Sequence, residues 1–204
     1  MSTALIIFAK APVAGLAKTR LIPALGAHGA AALAEKLLDH AVSQALATGC
    51  THVELCVTPD ATHATFARLL SQAKGQLCLS IQGEGDLGQR MDRALTRCLL
   101  KYRRVLLMGT DAPSLDTEVL KAADQALANQ DAVFVPALDG GYALVGLTRP
   151  EPRLFANMLW STPQVMAESR ARAKHCDLRW VELACVADID EPPDLVHLPP
   201  GWLV

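Results

Sequence analysis

The chain has 204 residues, of which 51% are hydrophobic and 20% charged, enough apolar material for a substantial core. Its net charge of -2 and pI near 6.3 argue against nucleic acid as a partner, because general nucleic-acid binding needs a clearly basic face. Lys10 interrupts the N-terminal apolar run, and no run reaches the ~18 residues of a membrane span, so we expect a cytoplasmic protein without a signal peptide or membrane span.

The cysteines and histidines do not indicate a metal or redox site. No two of the six cysteines have Cys-x-x-Cys spacing, and the six histidines include no His-x-x-x-His pair. Most of the cysteines lie in apolar runs, where a free thiol behaves as a small hydrophobic group. We therefore expect reduced and mostly buried thiols, as is usual in the cytosol.

The first stretch of the chain combines a buried strand with a basic loop. Residues 4–9 form a short apolar run that predicts a strand. The loop that follows carries Lys10, Lys18 and Arg20, with Gly15 between them. Glycine lets backbone N–H groups approach an anion, and the cations add charge, so this loop predicts a phosphate site. A solvated basic surface loop is the alternative.

Helices and strands alternate along the chain after this loop. Gly49 is expected to end the first helix, Ser114 to cap the fourth, and Thr162-Pro163 to open the fifth. Alternation predicts an α/β protein with a mostly parallel sheet covered by helices on both faces, and the turn at Asp139 predicts a mixed sheet. No linker or repeat interrupts residues 1–204, so we expect one domain. The predicted helices are 26–49, 61–74, 86–102, 114–129 and 162–174, and the later strands are 53–58, 77–82, 105–108, 132–137, 142–147 and 178–184.

Cations and carboxylates follow different strands of the predicted sheet. Ligands bind at the carboxyl ends of the strands in such sheets, so residues directly after strands are the site candidates. Cations gather on the first loop, whereas Asp111 follows the fourth strand and Asp139 a later one. A phosphate-bearing ligand with Mg²⁺ or Mn²⁺ needs this combination. Asp111 is the first metal candidate and Asp190 the second, with Asp188 close behind; capping of the turn after residue 191 is the alternative for the latter two.

Several familiar motifs are incomplete. The segment Gly15-Leu-Ala-Lys18-Thr19 lacks the other glycines of a Walker A loop. Gly83-x-Gly85-x-x-Gly88 matches a dinucleotide fingerprint, but it follows the third strand, and Glu84 and Asp86 would repel a pyrophosphate. No Gly-x-Ser-x-Gly elbow is present, and we expect Cys185 to be a buried thiol and not a nucleophile paired with His197.

The motifs together resemble one bacterial family, the DUF2064 family of glycosyltransferase-like proteins, some of which are named arsenosugar biosynthesis glycosyltransferases. This family belongs to the nucleotide-diphospho-sugar transferase superfamily, which has the GT-A fold. Nucleotidyltransferases of the same superfamily have a similar first loop and Asp-x-Pro block. The resemblance is carried, in the family's order, by Phe8-Ala-Lys-Ala-Pro-Val-Ala-Gly-Leu-Ala-Lys-Thr-Arg-Leu21, Gly85-Asp-Leu-Gly-Gln-Arg-Met91, Gly109-Thr-Asp-Ala-Pro-Ser-Leu115, Asp139-Gly-Gly-Tyr142, Trp160-Ser-Thr-Pro163 and Asp188-Ile-Asp-Glu-Pro-Pro-Asp-Leu195.

The resemblance implies roles for individual residues. Asp111 and Asp190 would hold Mg²⁺ or Mn²⁺, and Lys18 and Asp111 would be catalytic. From its position alone, Asp139 is expected to be the catalytic base for the acceptor hydroxyl. The strict Asp-x-Asp of many GT-A glycosyltransferases is absent, because position 113 is proline. The acceptor or the sugar would face Gly140, Gly141, Tyr142, Ser161 and Thr162. Nucleotide binding would involve Ala9, Lys10, Gly15, Lys18, Arg20, Gln82, Gly85, Gly88 and Asp111.

The function that these observations favour is a metal-dependent glycosyltransferase with a nucleotide-sugar donor and a small-molecule acceptor. The first alternative is a nucleotidyltransferase that joins a nucleoside triphosphate to a phosphorylated acceptor and releases pyrophosphate. The second is a nucleotide-binding protein without catalysis. The apolar, proline-rich tail at 198–204 is expected to pack on the body of the protein or on a second subunit, so a homodimer is possible.

Overall fold

The protein, described over residues 2–202 by a computed structural model, is built on one seven-stranded mixed sheet. The strand order is β3-β2-β1-β4-β6-β5-β7. Strands β1 to β4 are mutually parallel, β6 runs antiparallel to both of its neighbours, and β7 is parallel to β5. The predicted mixed sheet is therefore confirmed. The strands are β1 (Thr3–Lys10), β2 (His52–Thr58), β3 (Leu77–Ile81), β4 (Arg104–Met108), β5 (Ala132–Pro136), β6 (Tyr142–Leu147) and β7 (Trp180–Glu182).

Five α-helices cover the two faces of this sheet. The alternate side chains of β1 explain why both faces are covered, because Leu5 and Ile7 point into one apolar cluster and Ile6 and Phe8 into another. The first cluster includes side chains of α1, α2 and α4, and the second includes side chains of α3 and α5. The helices are α1 (Ile22–Ala47), α2 (Ala64–Gln72), α3 (Leu87–Leu99), α4 (Thr117–Ala126) and α5 (Val165–His175).

The helix starts are where the sequence predictions were least accurate. Helix α4 is capped by Asp116, which accepts hydrogen bonds from Glu118 N and Val119 N, so the predicted Ser114 cap is wrong. Helix α5 begins after Gln164, because the Thr162 hydroxyl donates to Leu159 O in a preceding turn instead of capping the helix. Gly49, with φ 73°, follows the end of α1 as predicted.

An ion pair between the buried carboxylate of Glu54 and the half-exposed side chain of Arg97 lies between the sheet and α3. Glu54 on β2 is only 2% exposed, and both of its carboxylate oxygens accept hydrogen bonds from Arg97, at 2.5 and 2.9 Å. The Ser80 hydroxyl also donates to this carboxylate, and His52 Nε2 lies 3.3 Å from it. Burial raises the pKa of Glu54, but the hydrogen bonds from Arg97 and Ser80 outweigh burial and lower the pKa to about 2.

The C-terminal segment packs on α1. A third apolar cluster joins Leu33 and Leu37 of α1 to Ile189, with Leu195 and Trp202 packed against it. The Lys36 ammonium lies 5.3 Å from the ring centroid of Trp202, a cation–π arrangement. The tail thus packs on the body, one of the two arrangements expected from the sequence, as far as residue 202; Leu203 and Val204 lie outside the described residues.

All six cysteines are free thiols. Cys56, Cys98 and Cys176 are buried as expected, whereas Cys78 and Cys185 are exposed, so the prediction of a buried thiol at Cys185 is wrong. Within residues 2–202, no helix is long and apolar enough to cross a membrane.

Candidate active site

A pocket of about 600 Å³ opens at the carboxyl ends of the central strands. Lys10 ends β1, Thr58 ends β2, Gln82 follows β3 and Asp111 follows β4, and all four line this pocket. The parallel arrangement of β1 to β4 brings these four chain segments to one edge of the sheet. The pocket therefore lies where α/β sheets commonly bind ligands.

Lys18 ties the basic loop to the acidic segments of the pocket. Its side chain is 6% exposed, and its ammonium lies 2.7 Å from Asp111 Oδ1 and 3.9 Å from Asp190 Oδ1. The same ammonium donates to Ile189 O, and Ile189 N donates to Asp111 O at 2.8 Å. The loop after β1, the loop after β4 and the segment near residue 189 are thus joined through one cation.

Asp188 and Asp190 flank the buried Ile189 and border the pocket. Arg20 Nη1 lies 2.5 Å from Asp190 Oδ2. The following 3₁₀ turn, Pro192–His197, is capped by Glu191, and Asp194 accepts from the backbone N–H groups of residues 190 and 191. Neither aspartate is therefore needed as the cap, which was the alternative explanation for their presence.

Carboxylates are crowded on this side of the pocket. Burial raises the pKa of Asp188 to about 6, and the charges of Asp139, Asp194 and Asp111 act in the same direction. Within residues 2–202, no three His, Cys, Asp or Glu side chains converge as a preformed metal site. The donor set nevertheless suits a hard divalent cation, because carboxylate oxygens are its preferred ligands and a cation would relieve the repulsion at Asp188.

The nucleotide side predicted from the sequence holds one buried amide. Gln82 is 6% exposed and lines the pocket, while its Nε2 donates to Ala9 O and Cys56 O, at 3.3 and 3.1 Å. With both amide hydrogens directed at backbone carbonyls, its Oε1 is left as the acceptor for a ligand.

Gly85 and Gly88 have structural explanations that account for the dinucleotide-like spacing. Gly85 has φ +102° and precedes the capping box in which Asp86 and Gln89 begin α3. A Cβ at Gly88 would lie 2.5 Å from the backbone oxygen of Phe155, so only glycine allows this close approach.

The side of the pocket that was predicted to face the acceptor is a polar turn beside aromatic rings. Asp139 Oδ1 accepts from Gly141 N at 2.7 Å, which closes the turn between β5 and β6. Tyr142 and Trp160 line the pocket with their ring centroids 6.4 Å apart, edge to face. The Trp160 indole N–H is buried and has no hydrogen-bond partner within the described residues. This side of the pocket thus offers aromatic surface.

Replacement of Gly140 by alanine should destabilise the protein and disturb the Asp139 turn. Gly140 has φ +88°, and a Cβ there would lie 2.2 Å from Pro163 O, a backbone atom. We expect Gly140→Ala to cost about 1 kcal/mol for the left-handed backbone and roughly 1–3 kcal/mol more for the clash. Chemical denaturation checks this against Gly75→Ala, where φ is +86° and nothing lies within 4 Å. Equal losses in the two variants would contradict the close approach.

Most of the predicted site residues meet in this one pocket. Gly15, Arg20, Gly85, Gly88 and Gly140 do not border it. Thr58, Arg90 and Trp160 also line the pocket but were not predicted as site residues. Arg90 and Trp160 lie in the sequence blocks that carry the family resemblance, and that resemblance was the signal that could have found them. The predicted residues that line it are Ala9, Lys10, Lys18, Gln82, Asp111, Asp139, Gly141, Tyr142, Ser161, Thr162 and Asp190.

Several solved structures have folds similar to that of this chain. A protein from Desulfovibrio desulfuricans G20, provisionally described as a nucleotide-diphospho-sugar transferase, is 29% identical, with a TM-score of 0.86 over 96% of this chain and 85% of its own. A CMP:2-keto-3-deoxy-manno-octonic acid synthetase complexed with CTP is 11% identical, with a TM-score of 0.58 over 97% of this chain and 96% of its own. Rv0371c from Mycobacterium tuberculosis H37Rv, in complex with manganese, is 16% identical, with a TM-score of 0.57 over 97% and 98%. The last two likenesses concern the fold alone.

The fold is that of the nucleotide-diphospho-sugar transferase class, and the predicted class of enzyme, a transferase, is confirmed at that level. A bacterial family described as "Uncharacterized protein conserved in bacteria (DUF2064)" matches residues 41–162, more than half of the chain. The chain therefore belongs to the DUF2064 family, as its sequence blocks predicted. A search of curated proteins found no match.

Proposed function

We propose that this protein is a metal-dependent glycosyltransferase that uses a nucleotide-sugar donor and a small-molecule acceptor. The observation that carries the proposal is the convergence of Lys18, Asp111 and Asp190 in a pocket that has a buried amide on one side of them and an aromatic wall on the other. Charged groups at the centre suit a diphosphate, and the two sides suit a base and a sugar with its acceptor. The likeness to a nucleotide-diphospho-sugar transferase over 96% of the chain supports this proposal.

Asp111, with Asp190 or Asp188 as the second carboxylate, would hold Mg²⁺ or Mn²⁺. When bound, such an ion neutralises the negative charge that builds on the leaving nucleoside diphosphate. The fold neighbour in complex with manganese supports the choice of a divalent cation for this fold. Lys18 now holds Asp111 in the position of a ligand, at 2.7 Å, so the carboxylate is already ordered.

Lys18 would also contact the phosphate oxygens when a diphosphate binds in the pocket. Its ammonium is almost fully buried between two carboxylates, and a cation bound to Asp111 would repel it toward the phosphate oxygens. Arg20, which is more than half exposed, lies outside the pocket lining and is paired with Asp190, so it would have to leave this pair to contact the outer phosphate with its fork of donors. Both cations would stabilise charge on the leaving group.

Asp139 is the candidate base for the acceptor hydroxyl. One of its oxygens is fixed by Gly141 N, which orients the carboxylate, and the residue lines the pocket beside Tyr142. Its second oxygen is left to accept a proton from an acceptor bound against the aromatic wall.

A nucleotidyltransferase is the second candidate, favoured by Pro113 in place of the second aspartate of Asp-x-Asp and by the likeness to a synthetase complexed with CTP. The same loop and metal would serve it, but the released product would be pyrophosphate. A nucleotide-binding protein without catalysis would bind a nucleotide and release neither product.

A thermal-shift screen of nucleotides and nucleotide sugars, each with and without Mn²⁺, tests the proposal. A ligand at 100 times its dissociation constant adds about 2.7 kcal/mol of stability, which such a screen detects readily. We expect an Mn²⁺-dependent shift with one nucleoside diphosphate and its sugar conjugates. A shift with a triphosphate only would favour the nucleotidyltransferase, and no shift with any of them would overturn both.

A further inference from the structure

The cations of the pocket are in two different electrostatic situations. Lys18 and Arg20 are paired with the carboxylates of Asp111 and Asp190. Lys10 and Arg90, in contrast, make no ion pair within residues 2–202. The Lys10 ammonium donates to Leu16 O at 2.8 Å, and Arg90 Nε donates to Gly85 O at 2.8 Å. Two positive charges of the pocket wall are therefore not neutralised by protein carboxylates.

One of the two cations contacts the Thr58 hydroxyl group, and the other belongs to the residue paired with Thr58 on the neighbouring strand. Thr58 is the direct partner of Lys10 in the pairing of β2 with β1, and Arg90 Nη1 lies 3.4 Å from Thr58 Oγ1. All three residues line the pocket. A guanidinium has five N–H donors, and these two contacts leave three of them available to a ligand. Ammonium, guanidinium and hydroxyl donors that line one pocket are groups that bind phosphate oxygens.

The sheet topology places this trio between the two halves of the pocket. Gln82 follows β3 and Asp111 follows β4, and these strands are separated by β2 and β1, which carry Thr58 and Lys10. Three strand spacings of about 4.8 Å lie between the carboxyl ends of β3 and β4, a distance of roughly 14 Å in all. A nucleotide that extends from Gln82 to Asp111 must pass Thr58 with the part that joins its nucleoside to its outer phosphate, namely the 5′-phosphate.

We propose that Lys10, Arg90 and Thr58 form an anion subsite that binds a phosphate group without the metal, separately from the pairs that involve Lys18 and Arg20. The identification of that group as the 5′-phosphate of a nucleotide rests on the proposed function. The binding of an anion by the subsite does not, because it follows from the unpaired cations alone.

Titration calorimetry with inorganic pyrophosphate in the presence of a chelator tests the subsite. We expect the wild-type protein to bind pyrophosphate without metal, and Arg90→Gln and Lys10→Gln each to bind at least tenfold more weakly, since each removes charge-assisted hydrogen bonds. Arg90→Lys, which keeps the charge, should bind more tightly than Arg90→Gln. Arg103→Gln is the matched control, because Arg103 is exposed and precedes β4 at the opposite end of the sheet. It should bind as the wild type does.

Two results overturn the subsite: no metal-free binding of pyrophosphate by the wild type, or binding by Arg90→Gln and Lys10→Gln as tight as that of Arg103→Gln. A circular dichroism spectrum and melting temperature of each variant establish that it is folded. Metal-free pyrophosphate binding that depends on Arg90, with no nucleotide binding in Mn²⁺, would leave the subsite standing and refute the proposed function. Mn²⁺-dependent nucleotide binding, with pyrophosphate binding unchanged in Arg90→Gln, would support the proposed function and refute the subsite.

Discussion

Asp111→Asn should lower metal-dependent turnover by roughly 10²–10³-fold, the size of effect seen when one electrostatic contact to a developing charge is lost. The amide is isosteric with the carboxylate but carries no charge, so it is a poor ligand for Mg²⁺ or Mn²⁺. Turnover of the nucleotide sugar that the screen identifies, measured across Mn²⁺ concentrations, checks this.

Two controls separate chemistry from folding in that experiment. Asp177→Asn makes the same substitution at an exposed residue outside the pocket, at φ 51°, a conformation that asparagine tolerates, and it should leave turnover unchanged. Asp111→Asn itself should melt cooperatively, because Lys18 keeps its hydrogen bond to Ile189 O. Turnover of a folded Asp111→Asn at the wild-type level would refute Asp111 as the metal ligand.

Arg97→Met should destabilise the protein by about 3 kcal/mol, because it leaves the carboxylate of Glu54 buried without its cation. For a chain of this size, that corresponds to a fall in Tm of roughly 6–12 °C. Denaturant unfolding at neutral pH measures the loss. The double variant Glu54→Leu/Arg97→Met should recover most of it, since a neutral apolar pair of similar volume needs no counter-charge. A double variant as unstable as Arg97→Met would show that packing, not charge, is responsible.

The pH dependence of this difference has a defined sign. The folded-state pKa of Glu54, about 2, lies below its ordinary value of 4.5, so folding favours the ionised form. The contribution of the ionised Glu54 carboxylate to the free energy of unfolding is fully present above pH 4.5 and is lost as the pH falls toward 2. The advantage of the wild type over Arg97→Met should therefore shrink as the pH falls toward 2, and the loss should begin at or above pH 4.5, because burial without the cation raises the pKa of Glu54 in the variant.

The order of elements and the location of the pocket were accessible from the sequence because both follow from local signals. Apolar runs predicted the strands, and the strand ends placed Lys18, Asp111 and Asp139 at one edge of the sheet. Cap positions were less accessible, because Ser114 and Asp116 are both good capping residues and only the tertiary position of α4 decides between them.

The contacts between distant segments were not accessible from the sequence. The bond from Lys18 to Ile189 O spans 171 positions and depends on the packing of Ile189 into the third apolar cluster. Arg90 was missed although it lies in a quoted block, because only the structure shows that its guanidinium reaches Thr58, whereas that of Arg93 is occupied by Gln82 O and Glu84 O. The single-domain organisation, the possible homodimer and the cytoplasmic location stay predictions.

The central claim is that Asp111 and its neighbours bind a nucleoside diphosphate through a divalent cation. Titration calorimetry of the wild type with UDP, GDP, CDP and ADP, with Mn²⁺ and then with a chelator, tests that claim most directly. We expect one diphosphate to bind at least tenfold more tightly in Mn²⁺ and Asp111→Asn to remove this gain. Equal affinity with Mn²⁺ and with the chelator, or a gain that persists in Asp111→Asn, would contradict it.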